Sequence, residues 1–147
     1  MLATRLRLLV AALWAGSLWT IGYVVAPTLF LNLNDNVQAG TMVGFLLRSQ
    51  AWLSIGCAII LYALVKLSKI EPAQKRTLSL MIVAMLACAL VIYVGLQPAM
   101  ASLKEAAGAA GLGGTPEGRR FGILHGVSQM VYLVESVLGG ALLVKMR

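Results

Sequence analysis

Twenty-four consecutive positions, Leu8 to Leu31 (LLVAALWAGSLWTIGYVVAPTLFL), carry no charged side chain. A helix needs about 20 apolar residues to cross the hydrocarbon of a bilayer, where every backbone N–H and C=O must be paired within the segment. The run therefore predicts a membrane-spanning helix. The basic MLATRLR ahead of it imitates a secretory signal. The apolar stretch, however, outlasts the roughly 7–15 residues of such a signal, and no A-x-A site closes it. An uncleaved first helix is expected.

Three more apolar stretches follow, about 42–67, 77–103 and 121–146, the first span being 8–31. Of the 147 residues 60% are hydrophobic and 12% charged, and the mean hydropathy is +0.88. A soluble domain of this size cannot bury so large an apolar excess, and a disordered chain carries far more charge. The expectation is an all-α integral membrane protein: a single domain over 1–147, with four transmembrane helices in a bundle and the lipid bilayer as its solvent. NLNDNVQAGT, KLSKIEPAQKR and KEAAGAAGLGGTPEGRR read as the connections.

Twelve Lys and Arg against five Asp and Glu leave a net charge of +7. Such a balance invites a nucleic-acid reading, but the basic residues gather at the ends of the spans, as membrane topology requires. Nucleic acid is rejected as a partner. Arg5, Arg7, Lys66, Lys69, Lys75, Arg76, Lys145 and Arg147 fall on one side, and Arg48, Lys104, Arg119 and Arg120 on the other. The bias predicts both termini in the cytoplasm, in a bacterial inner membrane, with Asp35, Glu105 and Glu117 outside. Cys57 and Cys88 lie in apolar runs and form no disulfide framework.

Tyr23-Val24 lead to Pro27 in the first span, and Tyr93-Val94 lead to Pro98 in the third. This pattern reads either as an internal repeat or as two prolines that mark helix ends or kinks.

The polar chemistry concentrates in the fourth span. His125, Ser128, Gln129, Tyr132, Glu135 and Ser136 share an arc of roughly 120° at 100° per residue, and the positions between them are apolar. The stripe is expected to face the bundle interior. Glu135 falls near the bilayer midplane, and no cation stands at that depth. A carboxylate there is costly, so Glu135 reads either as a protonated or proton-exchanging group or as a neutral acid bonded across helices. Trp19, Thr20, Ser54 and Cys88 are expected at similar depth.

His125, the only histidine, sits toward the outer interface, where it serves as ligand, relay or plain hydrogen-bond donor. Gly122 and Gly126 flank it as GxxxG, and Ala12, Gly16 and Thr20 form a similar edge on the first helix. The two helices are expected to pack through these glycines. Met81, Met85 and Cys88 share a face of the third helix, with Cys57 at comparable depth on the second. That set reads either as core packing or as Cu(I)-type soft-metal ligands. Trp52 reads as interfacial belt, and Trp14 and Trp19 as packing residues. No phosphate-binding glycine loop, Ser/His/Asp set, paired carboxylates or HExxH occurs. No enzymatic activity and no cofactor are expected.

Trp14-Ala15-Gly16, Ala26-Pro27-Thr28-Leu29-Phe30, Ala39-Gly40, Gln97-Pro98, and Phe121 followed by Leu124-His125-Gly126-Val127-Ser128 carry a family resemblance. In these residues the chain resembles the domain of unknown function 4149, the transmembrane protein 205-like family. The resemblance implies a small four-helix membrane protein without an assigned biochemical activity. The association of the family's eukaryotic namesake with platinum-drug resistance keeps soft-metal handling in view. Pro27, His125, Gly126 and Ser128 carry over as motif positions. Many members place an Asn one turn after the serine, where this chain has Tyr132, and Glu135 is no part of the motif.

The expected function is cation or proton transport or sensing, with Glu135 as the titrating group and His125 as outer gate or ligand. Ser128, Gln129 and Tyr132 would form the lining. The alternatives are an accessory or assembly subunit of a larger membrane complex, and copper-type handling through Met81, Met85, Cys88 and Cys57. Four helices enclose a narrow lumen, so a transporting unit would be a homo-oligomer.

Overall fold

A computed structural model describes residues 2–108 and 111–146. The first span comprises α1 (Leu2–Trp19), a π turn (Thr20–Val25) and α2 (Ala26–Asn32). The second is α3 (Asn36–Leu67). The third comprises α4 (Pro72–Leu90), a second π turn (Val91–Leu96) and α5 (Gln97–Ala107), and the fourth is α6 (Pro116–Lys145). The four continuous helices hold 30, 32, 36 and 30 residues, and all are long and apolar enough to cross a membrane. They run past the apolar spans because their start signals lie farther out. The Asp35 carboxylate accepts from the Val37 amide at 2.8 Å, Pro72 opens α4, and the Thr115 hydroxyl accepts from the Gly118 amide at 3.0 Å. Each satisfies or removes an N–H that a helix start leaves unpaired. Most of NLNDNVQAGT and KLSKIEPAQKR is therefore helical, and the connections shrink to residues 33–35 and 68–71.

α1, α3, α4 and α6 form a ring in which α1 and α4 each pack between α3 and α6. At the end that carries the chain termini, polar side chains tie the helices together. The buried Arg7 guanidinium donates to the Ser68 hydroxyl at 3.1 Å. The Lys75 ammonium donates to the Lys66 carbonyl at 2.9 Å and the Gln74 amide to the Lys145 carbonyl at 3.3 Å. Above them Trp14, Leu61, Val65, Leu78, Ile82, Met85 and Leu142, each no more than 1% exposed, form an apolar plug. Toward the far end the arrangement changes: α2 packs on α3 and α5 on α6, and contacts between the two helical hairpins thin out, although the Lys104 ammonium of α5 still comes within 3.7 Å of where a Cβ would stand at Gly40 of α3. The Lys104 ammonium lies there over the Phe121 ring, 5.3 Å from its centroid.

The first and third spans share a pattern at an offset of 71 residues. Arg7 and Leu78, Ala11 and Ile82, Trp14 and Met85, and Leu18 and Ala89 are pairs 71 residues apart, and every member is buried. The same offset superposes the two π turns and brings Pro27 onto Pro98. The tyrosines do not coincide, because Tyr23 falls on Val94. Neither proline ends a helix. A proline lacks the N–H for the usual bond and crowds the preceding turn, and a π turn just before it absorbs the mismatch while the helix continues.

α1 and α6 do pack together, but not through the expected glycines. Among the described residues no atom beyond the local helix backbone lies within 4 Å of where a Cβ would stand at Gly16, Gly122 or Gly126. The close approaches are at Gly139, against Ala15 and Met85, and at Gly140, against Trp19. Helical phase explains Gly126, which lies about 150° around α6 from the buried face that Ser128, Tyr132, Glu135 and Gly139 define, and Gly122 shares the phase of Gly140 but lies about 27 Å from it along the helix.

Candidate functional site

Where contacts between the hairpins begin to thin out, a cavity of about 20 Å³ lies inside the bundle. Its polar lining is Gln50 and Ser54 from α3, Tyr93 from the second π turn, Gln97 from α5, and Tyr132 and Glu135 from α6. Leu18, Leu47, Ala51, Ala89 and Ile92 supply the apolar wall. About 10–15 Å³ suffices for one water-sized occupant, so the cavity takes a single small species.

Glu135 is 1% exposed, Gln50 4%, Ser54 0% and Tyr132 8%. Glu135 stands ten residues before Lys145, about 15 Å along the helix axis and so near the middle of α6. Glu135 Oε1 and both Gln50 amide atoms, Oε1 and Nε2, are buried without a hydrogen-bond partner among the described residues. Among the described residues no lysine, arginine or histidine lines the cavity. Three orphaned polar atoms at one cavity are unusual, because a buried polar group left unpaired costs about 1–3 kcal/mol.

The surrounding groups are fixed. The Trp14 indole N–H donates to the Ser54 hydroxyl at 2.9 Å, which leaves the hydroxyl its own proton to give. The Tyr132 hydroxyl donates to the Leu18 carbonyl at 2.7 Å, where the first π turn interrupts the regular ladder. Its ring packs on Gly22, where a Cβ would collide with the ring carbon Cε1. Tyr23 meets the same ring edge-on, with centroids 6.3 Å apart. The Trp19 indole N–H donates to the Ser136 carbonyl at 3.2 Å, while the Ser136 hydroxyl is buried and unpaired.

The lining runs toward the far end through Leu47, Tyr93 and Gln97, into the region where contacts between the hairpins thin out. Toward the termini the apolar plug closes the bundle below Glu135. The lining therefore extends from Glu135 toward the far end only.

The six-residue stripe of the fourth helix divides in two. Ser128, Tyr132, Glu135 and Ser136 are buried, whereas His125 and Gln129 are exposed, a departure from the expected inward-facing stripe. Gln129 lies at the edge of the arc, and His125, although in phase, lies at a level where contacts between the hairpins thin out and no helix covers it. His125 stacks on Phe121 at 6.0 Å, with the rings 8° from parallel. Gly126 is exposed beside it, and Pro27 is exposed as the second residue of α2.

Of the soft-atom set, Cys57 and Met85 belong to the apolar core and Met81 packs against its edge. Cys88 is half-buried. The Met85 methyl lies against the space at Gly139, the behaviour of a packing methionine. Among the described residues no three His, Cys, Asp or Glu side chains group as metal ligands. Trp14 is fully buried, while Trp52 is exposed as a belt residue would be.

Gln50, Tyr93 and Gln97 are site residues that sequence reasoning missed. Gln50 and Ser54 stand four apart in an apolar run, a signal masked by Arg48 nearby. Gln97 stands beside Pro98, and the proline draws the reading toward a helix end or kink rather than a site.

Residues 9–109 match the model of a family described as a domain of unknown function (DUF4149). The match takes in Gln50, Ser54, Tyr93 and Gln97 and ends before Tyr132 and Glu135. None of the curated proteins and none of the solved structures compared with the chain matches it.

Proposed function

The chain belongs to the DUF4149 family, and on that premise we propose that it is an ion-handling membrane protein that binds a proton or a small cation at Glu135. The observation that carries this reading is a carboxyl 1% exposed, with an unpartnered oxygen, at a cavity that no basic side chain among the described residues lines. An intramembrane carboxylate without a cation must be neutralised, either by a proton or by a bound positive ion.

Ser54, Gln50 and Tyr132 supply the hydrogen-bonding surface in place of Ser128 and Gln129, and His125 stands outside the cavity. Arg5, Arg7, Lys66, Lys69, Lys75, Arg76 and Lys145 cluster at the termini end, which favours a cytoplasmic location for that end in a bacterial inner membrane. Arg147 lies outside the described residues. In that orientation the site is reached from the outer face, as suits a sensor or one state of a carrier.

A pH jump on purified protein with an indicator dye tests the reading. Wild type is expected to take up one proton per chain that Glu135→Gln does not. Equal uptake by the two proteins refutes an exchanging role for Glu135.

A second reading, an assembly subunit, draws on the face of α6 that carries Gly122, His125, Gly126 and Gln129 exposed together. A primary amide turned outward on a membrane helix favours association with another helix, and small residues allow close approach. A partner that co-purifies with the native chain and is lost when Gly122 and Gly126 both become leucine supports it. A native chain that purifies alone from its own membrane opposes it.

A further inference from the structure

Glu135 and Gln50 present three unpartnered polar atoms at one cavity, and the class of ion they suit follows from charge, size and donor chemistry together. We infer that the cavity is a binding site for one dehydrated monovalent metal cation of the sodium and potassium class; this rests on the proposal that the cavity holds an ion.

The charge argument comes first. Among the described residues Glu135 is the one carboxyl in the lining, and no other Asp, Glu, Lys, Arg or His contributes to it. A monovalent cation makes the occupied site neutral. A divalent cation leaves one uncompensated positive charge buried between apolar helices, which is strongly unfavourable.

Size and donors agree. The 20 Å³ cavity admits a water-sized occupant and excludes a hydrated ion. Two unpartnered oxygens belong to residues of its lining, one from the Glu135 carboxyl and one from the Gln50 amide, in an otherwise largely apolar wall. Oxygen ligands suit hard cations rather than soft ones. The Tyr132 hydroxyl spends its proton on Leu18 and the Ser54 hydroxyl is oriented by Trp14, so both are held in place without help from the ion. Gln50 is buried to 96% with its carbonyl oxygen unpartnered, which gives the site a second ligand independent of the acid. The site is distinct from the Met and Cys set, whose Met85 is occupied in the packing of α1, α4 and α6.

The test is titration calorimetry on the full chain in detergent at fixed pH and ionic strength, with choline chloride as the balancing salt. Sodium and potassium chloride are titrated as probes, and calcium chloride is the charge control. A saturable heat with one site per chain is expected for an alkali cation and no saturable heat for calcium. Gln50→Leu is expected to weaken alkali binding by about tenfold or more, and Glu135→Gln to abolish it. Should Glu135→Gln fail to fold, the preference of wild type for monovalent over divalent cation and the Gln50→Leu loss decide the matter. No saturable alkali heat from folded wild type overturns the inference, as does tighter binding of calcium. The indicator-dye measurement separates the two claims. Glu135-dependent proton uptake without alkali binding removes the metal cation and leaves the proton reading, and absence of both removes the site altogether.

Discussion

Gly22→Ala sets two physical effects against each other, and the structure decides the sign. By helix propensity the change should stabilise the first span by up to about 1 kcal/mol. The added methyl, however, would sit in the ring of Tyr132, colliding with Cε1 and standing 3.0 Å from Cζ and 3.1 Å from the hydroxyl. The ring has no easy escape. Its hydroxyl is bonded to the Leu18 carbonyl at 2.7 Å, and Tyr23 packs against its edge. Overpacking of this kind costs about 1–3 kcal/mol. If the ring is displaced, an interhelical hydrogen bond worth roughly 0.6–1.7 kcal/mol in a membrane goes with it. The expected net loss is about 1–4 kcal/mol, measured by reversible unfolding in mixed micelles. Tyr132→Ala should remove the collision, so Gly22→Ala made in that background should cost less than about 0.5 kcal/mol, the coupling expected of residues in contact. An equal loss in both backgrounds, or a Gly22→Ala protein as stable as wild type, refutes the contact between the π turn and Tyr132.

Gly16→Ala and Gly126→Ala meet no neighbours among the described residues beyond the local helix backbone and should be neutral or stabilising by up to about 1 kcal/mol; destabilisation of the monomer would show that these glycines do pack. Gly139→Leu enters the space of Ala15 and Met85 and should cost about 1–3 kcal/mol in the same unfolding assay. Ser54→Ala leaves the Trp14 indole N–H buried without its acceptor and should cost about 1–3 kcal/mol, whereas Trp14→Phe/Ser54→Ala together should cost less than the sum of the singles. Thr115→Ala removes the first-turn cap of α6 and should cost about 0.5–2 kcal/mol.

The spans were legible in the sequence because hydrocarbon thickness imposes a length and an absence of charge that any window reveals. Glu135 was legible for the same reason, as the single acid inside an apolar run. Its setting was not. Gln50 and Gln97 reach the cavity from other helices, and which residues of α3 and α5 face α6 depends on the phase and kink of each helix. The π turns shift that phase by altering the register just before Pro27 and Pro98, an effect that spacing counted at 100° per residue leaves out. The same limit separated GxxxG as a pattern from the glycines in contact. Gly122 and Gly126 have the spacing, but it is Gly22 and Gly139 that lie on the packed phase. The repeat showed in the prolines and misled in the tyrosines, because packing preserved the kink and the buried positions rather than the aromatic pair.

The most direct test of an ion-binding Glu135 is infrared difference spectroscopy of the protein in lipid, recorded across steps of pH and compared with Glu135→Gln. The account predicts a carboxyl stretch that changes with proton exchange in wild type and is missing from the variant. A spectrum in which no carboxyl signal distinguishes wild type from Glu135→Gln, at any pH where both are folded, contradicts it.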